Sequence, residues 1–84
     1  GGSGQRNFSL DLSTLEGKNV KLSITFNMPI SNGWGGGFDG KADGSTLTLT
    51  QYSSPKFATI TVQTNENIKN LAVTSYTVIS AHNN

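Results

Sequence analysis

The sequence predicts an all-β domain, a small antiparallel β-sandwich of the jelly-roll or immunoglobulin-like kind. Apolar and polar residues alternate with a period of two in several segments, which is the pattern of half-buried strands. Residues that favour turns recur about every ten residues, a spacing typical of antiparallel sandwiches and small barrels. No segment shows helical periodicity, and 84 residues are enough for one small domain.

Two strands are predicted before the first proline. Their apolar residues of one phase are Phe8, Leu10 and Leu12, then Val20, Leu22, Ile24, Phe26 and Met28. A turn at 15–19 separates the two runs. The second run is the strongest element, because a helix would scatter those residues around its axis whereas a strand puts them on one face. Pro29 ends it, since proline cannot donate to a sheet ladder.

Three more strands are predicted in the rest of the chain, separated by turns at 53–55 and 65–67. Their apolar residues of one phase are Leu47 and Leu49, then Ala58, Ile60 and Val62, then Leu71, Val73 and Ile79. Tyr76 and Val78 fall in the opposite phase of the last strand. The glycine-rich segment 31–40 has room for a sixth or seventh strand, and its glycines are also typical of a flexible turn.

Composition excludes several classes of function. The chain has no Cys, six Lys and Arg against five Asp and Glu, and 13% charged residues. Scattered basic residues do not form the cluster that nucleic acids or charged membrane surfaces require. No apolar window of about 18 residues could span a membrane. The 10 Ser, 10 Thr and 9 Asn give an uncharged polar surface, so we expect a secreted bacterial, extracellular protein.

The chain organisation follows from the same patterns. Residues 1–5 are glycine-rich and are interpreted as a linker or a remnant of cloning. Residues 6–80 are predicted to form the sandwich and 81–84 a C-terminal tail. We expect the chain to be a piece of a longer protein.

Several aromatic residues do not follow the predicted core phase. Tyr52 and Tyr76 fall in the solvent phase, where only a β-bulge would turn them inward. Phe57 also falls in that phase, but Pro55 obscures the start of its strand and we expect Phe57 in the core. Trp34 lies among glycines, either as a core residue or as a platform for a ligand.

Exposed aromatic rings surrounded by neutral polar groups are suited to sugars. The apolar C–H face of a pyranose stacks on a ring, and amide side chains orient the hydroxyl groups without charge. The predicted ligand-binding residues are Trp34, Tyr52, Tyr76, Asn32, Gln51 and Gln63.

The sequence offers no set of catalytic residues. The acids fall in turns or on a strand surface, and the one His, His82, lies near the end of the chain, so we expect no enzyme. We expect no cofactor. Asp39 and Asp43 could hold calcium as an alternative, but the segment has fewer ligands than an EF-hand loop.

Two segments carry a resemblance. The stretch 11–26 contains the pattern DLS…GK.V.L.F and resembles a strand pair of β-sandwich carbohydrate-binding modules. The stretch 29–38 is similar to the glycine turn of small modules in cellulosomal, plant cell-wall-degrading enzymes. The resemblance implies a module that keeps a linked glycoside hydrolase on cell-wall polysaccharide, with stacking rings at Trp34, Tyr52 and Tyr76. Such modules often carry two or more Trp, whereas two of these positions are Tyr.

The functional prediction is therefore a non-catalytic module for a neutral β-glucan, xyloglucan or mannan. Its covalent partner would be a catalytic module in the parent chain. The alternative is an immunoglobulin-like structural or interaction spacer, which predicts that Trp34, Tyr52 and Tyr76 are buried.

Overall fold

The computed structural model describes residues 4–36, 38–51, 56–66 and 69–83, and it confirms the all-β class. The elements are β1 (Gly4–Asp11), a 3-10 helix (Ser13–Leu15), β2 (Lys18–Phe26), β3 (Asn32–Gly35), β4 (Phe38–Asp43), β5 (Thr46–Gln51), β6 (Phe57–Thr64) and β7 (Val73–Asn83). The glycine-rich segment supplies β3 and β4. The first strand, β1, begins before the predicted domain limit at residue 6, and the last strand, β7, ends after the predicted limit at residue 80. In the described part of the chain, no helix is long and apolar enough to cross a membrane.

The strands form two packed antiparallel layers. Hydrogen bonding runs through all seven strands in the order β1-β6-β3-β4-β5-β2-β7. The junction between β3 and β4 has a single register pair, Gly35 with Phe38, whereas β4 pairs with β5 along its whole length. The sheet folds at this junction, so that β1-β6-β3 packs on β4-β5-β2-β7. The predicted β-sandwich is confirmed.

The core lies between the layers and consists of the inward residues of both. The buried apolar residues are Leu12, Val20, Leu22, Ile24, Phe26, Ile30, Leu47, Leu49, Ala58, Ile60, Val62 and Leu71. The phenyl rings of Phe8 in β1 and Phe26 in β2 meet edge to face with centroids 5.3 Å apart. This contact places β1 over β2. The alternation predicted for β2, β5 and β6 is the alternation observed.

Glycines at the fold between the layers allow a close backbone approach. A Cβ atom added to Gly40 would lie 2.1 Å from the carbonyl oxygen of Gly33. A Cβ atom added to Gly33 would lie 2.9 Å from Cδ2 of Leu47. No side chain fits at either position without a shift of its neighbours. These two glycines are therefore packing residues within strands, not elements of a flexible turn.

Strand β7 extends past the smaller layer. Tyr76 and Val78 pair with the buried Ile24 and Leu22 of β2, so they point to the inward side of their layer. Their side chains are nonetheless 51% and 40% exposed, because no described strand lies over them. Since β1 lies over β2, the layer with fewer strands ends there and leaves β7 uncovered.

The side chains of Arg6 and Asn27 bind the segment that leads into β7. Nη1 of Arg6 donates hydrogen bonds to the carbonyl oxygens of Lys69 at 2.9 Å and Leu71 at 2.6 Å. The side chain of Asn27 donates to the carbonyl of Asn70 and accepts from the backbone N–H of Ala72. Segment 69–72 is thus bound by β1 and by the residue after β2.

Replacement of Gly40 by alanine tests the packing at the fold between the layers. We expect Gly40→Ala to lower the free energy of unfolding by about 2 kcal/mol, the usual cost of forcing extra volume into a packed site. The melting temperature of a domain of this size would fall by roughly 10 °C. Thermal unfolding followed by circular dichroism measures this.

Gly36→Ala is the matched control. Gly36 is exposed, and a Cβ atom there would meet nothing within 4 Å. We expect a change below about 0.5 kcal/mol for this variant. Equal melting temperatures for the two alanine variants would contradict the packing role of Gly40.

Candidate ligand-binding face

The solvent side of the three-stranded layer forms one continuous polar surface with two aromatic rings. Cross-strand partners point to the same side of a sheet, and the side opposite the buried Ile60 and Val62 faces solvent. We call this surface the outer face. From β1 and β6 it contains Gln5, Asn7, Ser9, Asp11, Phe57, Thr59, Thr61 and Gln63. From β3 it contains Asn32 and Trp34.

Trp34 lies on the outer face with 43% of its surface exposed. The sequence left open whether it is a core or a surface residue, and the structure places it on the surface. The preceding residue, Gly33, supplies the inward position of β3 and packs against Leu47 and Val62. Gly33 and Trp34 are neighbours in the strand, so they lie on opposite sides of the sheet. The glycine takes the inward position and the indole faces outward. The backbone N–H of Gly33 also donates to Oδ1 of Asn32 at 2.9 Å.

Neutral hydrogen-bonding groups lie beside the indole. Trp34 pairs with Thr61 of β6, and Thr61 pairs with Asn7 of β1. The hydroxyl of Thr61 donates to Oδ1 of Asn7 at 2.7 Å, which fixes the Asn7 amide. Gln63 lies next to Asn32 in the adjacent row. Asn7 and its neighbours therefore present amide and hydroxyl groups without charge next to the aromatic ring.

Asp11 brings a carboxylate to one end of the outer face. The hydroxyl of Ser13 donates to Oδ1 of Asp11, and the Ser13 backbone N–H donates to the same oxygen at 3.0 Å. These two hydrogen bonds, with help from the charge of Lys56, hold the pKa of Asp11 below its ordinary value of 3.8. The carboxylate is thus engaged in fixing the start of the 3-10 helix.

Phe57 is on the outer face, and the prediction that it belongs to the core is wrong. Its side chain is 60% exposed, while its neighbour Ala58 is buried. The pairing of β1 with β6 is regular up to Asp11 and Phe57, so the alternation of β6 continues to its first residue. Nζ of Lys56 lies 5.9 Å from the ring centroid of Phe57.

The structure brings together part of the predicted set of ligand-binding residues. Trp34, Asn32 and Gln63 share the outer face. Tyr76 does not, because it belongs to the inward side of the other layer. Tyr52 and the side chain of Gln51 lie outside the described part of the chain.

Tyr76 is exposed for a reason that differs from the predicted one. The sequence placed it in the opposite phase to Val73, but register shifts interrupt the pairing of β7 with β2. One shift lies next to Val73, with the result that Val73 and Tyr76 both pair with buried β2 residues. Tyr76 is solvent-accessible because its side of β7 is uncovered.

The segment considered for calcium is a strand. Asp39 and Asp43 lie on β4 and pair with Thr50 and Thr46 of β5. Four residues of extended strand separate them, which corresponds to about 13 Å. They are therefore too far apart to bind one ion together. Among the described residues, no group of three or more His, Cys, Asp or Glu side chains could hold a metal ion.

Sequence reasoning missed several members of the outer face. Asn7, Ser9, Thr59 and Thr61 occupy the solvent phase of strands that were correctly predicted, so the alternation itself carried the signal. What the sequence did not contain was the pairing of β3 with β6, which brings Trp34 beside them.

Comparisons with protein-family models, curated proteins and solved structures found no match. The resemblance of 11–26 and 29–38 to carbohydrate-binding modules accordingly stays a prediction.

The acid limb of the stability curve tests the role of Asp11. A group with a depressed pKa stabilises the fold above its unfolded pKa, and that contribution is lost as the pH falls through the folded value. We expect Asp11→Asn to lower the melting temperature slightly at pH 7 and to make it fall less steeply below about pH 4. Melting temperatures of both proteins between pH 2 and pH 7, roughly the span over which a carboxyl titrates, measure this.

Ser13→Ala serves as the companion variant, because it removes the hydroxyl donor and leaves the carboxylate. It should shift the acid limb in the same direction as Asp11→Asn. Identical pH profiles for wild type and both variants would show that this pair does not contribute to stability.

Proposed function

We propose that this chain is a non-catalytic carbohydrate-binding module whose outer face binds a neutral plant cell-wall polysaccharide. One observation carries the proposal. The outer face presents an exposed tryptophan, Trp34, next to a row of uncharged amide and hydroxyl groups. An exposed ring beside neutral polar groups offers apolar surface to a partner, and most exposed positions of the described strands hold polar or charged residues instead.

The chemistry of the face suits a pyranose ring. The indole offers a broad apolar surface for the C–H face of a sugar, and its N–H can donate to a hydroxyl. Asn32 and Gln63 lie in the next row and provide both donors and acceptors. Stacking would supply most of the affinity, while the amides would orient the ligand.

The charge distribution favours a neutral ligand. Among the described strand residues of the outer face, only Asp11 is charged; it lies at the end away from Asn32, where Lys56 brings a positive charge beside Phe57. A single carboxylate with one lysine nearby is not the cluster of positive charge that would attract uronic acids, and the chain as a whole has a formal net charge of only +1. The proposed ligands are therefore β-glucan, xyloglucan or mannan, in preference to pectin.

The proposed role is to hold a glycoside hydrolase at its substrate. A single flat face gives weak binding, but a covalent link raises the effective concentration of the catalytic module near the polysaccharide. Such a role implies a secreted parent protein with a catalytic module in the same chain.

The alternative, an immunoglobulin-like spacer, predicts that the aromatic residues are buried. Trp34 is instead 43% exposed on the outer face. This exposure supports the binding module over the spacer, whereas Tyr76 is exposed only because its side of β7 is uncovered.

Replacement of Trp34 by alanine tests the proposal. We expect wild-type protein to be retarded in native gels that contain a soluble neutral β-glucan, xyloglucan or mannan, and Trp34→Ala to migrate as it does without polysaccharide. The unfolding free energy should change by less than about 1 kcal/mol, since the indole lies outside the core.

Tyr76→Ala is the matched control, because Tyr76 is an exposed aromatic residue that lies off the outer face. It should retain wild-type retardation. Wild-type migration that no glucan, mannan or xylan alters would rule out the proposed function.

A further inference from the structure

A second aromatic ring lies on the outer face at a distance from Trp34. Trp34 pairs with Thr61, and Phe57 is the fourth residue before Thr61 on the same strand. Four residues of antiparallel strand span about 13 Å, and the step from β3 to β6 adds about 4.8 Å sideways. The two backbone positions are therefore about 14 Å apart, with Phe57 displaced almost along the axis of β6.

The described side chains between the two rings are short and uncharged. Thr59 and Thr61 of β6 lie along the line that joins the rings, and Asn7 and Ser9 of β1 lie beside it. The hydrogen bond from Thr61 to Asn7 crosses this strip. No side chain of the described residues in the strip is large enough to form a wall, so a ligand can pass from one ring to the other.

The central row on the solvent side of the four-stranded layer differs from the outer face in its side chains. The solvent-facing residues of the four-stranded layer that pair in its centre are Thr48, Lys41, Ser23 and Thr77. This row contains no aromatic ring. Trp34 and Phe57, at 43% and 60% exposure, thus bring their apolar surface to the same outer face.

Phe57 is held in its outward position. Its strand partner is Asp11, whose carboxylate is bound by Ser13, and Nζ of Lys56 contacts one side of the ring at 5.9 Å from the centroid. A cation over an aromatic ring is attracted to its face. The Phe57 side chain is still 60% exposed, so most of its surface is open to a ligand.

We infer that Phe57 is a second stacking ring of the same site, and that the ligand is an extended, unbranched stretch of neutral polysaccharide that lies along β6 and contacts both rings. This inference rests on the proposed function. A flat face contacts a ligand from one side only. An extended β-linked chain presents successive pyranose rings in one ribbon, whereas a coiled or densely branched chain turns its rings away from such a surface.

The dependence of affinity on ligand length tests the inference. Titration calorimetry would use linear β-1,4-linked gluco- and manno-oligosaccharides, from disaccharides to the longest soluble members. For wild type, affinity should rise with length until the ligand reaches both rings. For Phe57→Ala that rise should be absent, so the longest ligand binds about three- to tenfold more weakly while the shortest is unaffected.

Further variants distinguish the effect of the aromatic ring of Phe57 from the effect of its apolar character. Phe57→Tyr keeps a ring and should keep the length dependence. Phe57→Leu keeps an apolar side chain and should lose it. Tyr76→Ala removes a ring away from the face and should behave as wild type. Melting temperatures of all variants establish that each is folded.

The outcomes distinguish this inference from the proposed function. Suppose that Trp34→Ala abolishes binding while Phe57→Ala or Phe57→Leu keeps the wild-type length dependence. The role of Phe57 as a second stacking ring is then wrong, and the proposed function stands. If wild type binds neither oligosaccharides nor polymers, both are wrong. A lower affinity of Phe57→Ala for the shortest ligand as well would place Phe57 in a single compact site and overturn the extended ligand.

Discussion

The close approach of Gly33 and Gly40 is the contact on which the rest of the structure depends. The two layers are joined through a single register pair between β3 and β4, so the chain must fold sharply there. The carbonyl of Gly33 occupies the space that a Cβ atom of residue 40 would need. This approach brings the layers together where Leu47 and Leu49 of one share a core with Ile60 and Val62 of the other. Burial of apolar surface is the main stabilising term in a domain that has no Cys for disulfides.

The unequal size of the layers explains the distribution of exposed apolar surface. Three strands cannot cover four, and the contact of Phe8 with Phe26 places β1 over β2. Strand β7 is therefore hydrogen-bonded to β2 but has no strand of the other layer over it among the described residues. Tyr76 stays accessible for this reason. Arg6 bridges from β1 to the segment before β7 and closes the edge at one end only. Exposure of a ring in this fold has two origins, the outer face for Trp34 and Phe57 and the missing cover for Tyr76.

Sequence patterning predicted the fold class and the inward residues of β2, β5 and β6. The pairing of β2 with β5 and of β6 with β1 is regular, so alternate residues of these strands lie on opposite sides of the sheet. Sequence patterning failed at Tyr76, since one extra residue in a bulged strand reverses the side of every residue beyond it. It failed at Phe57 because a nearby proline predicts an irregular strand start, whereas the alternation of β6 continues to its first residue. Which aromatic residues share a face depends on cross-strand pairing, such as Trp34 with Thr61, and a single sequence does not contain that information.

The constraint that closes the sandwich also determines where the indole points. A slip of β3 by one residue would turn Trp34 toward the core and Gly33 toward solvent. At the inward position even a Cβ atom would lie 2.9 Å from Leu47 and 3.1 Å from Val62, so an indole there would displace both of these buried side chains. Core packing therefore favours the outward orientation of Trp34. If the proposed function is correct, a ring positioned in this way is preorganised for its ligand, and because the indole lies outside the core its loss should affect binding far more than folding.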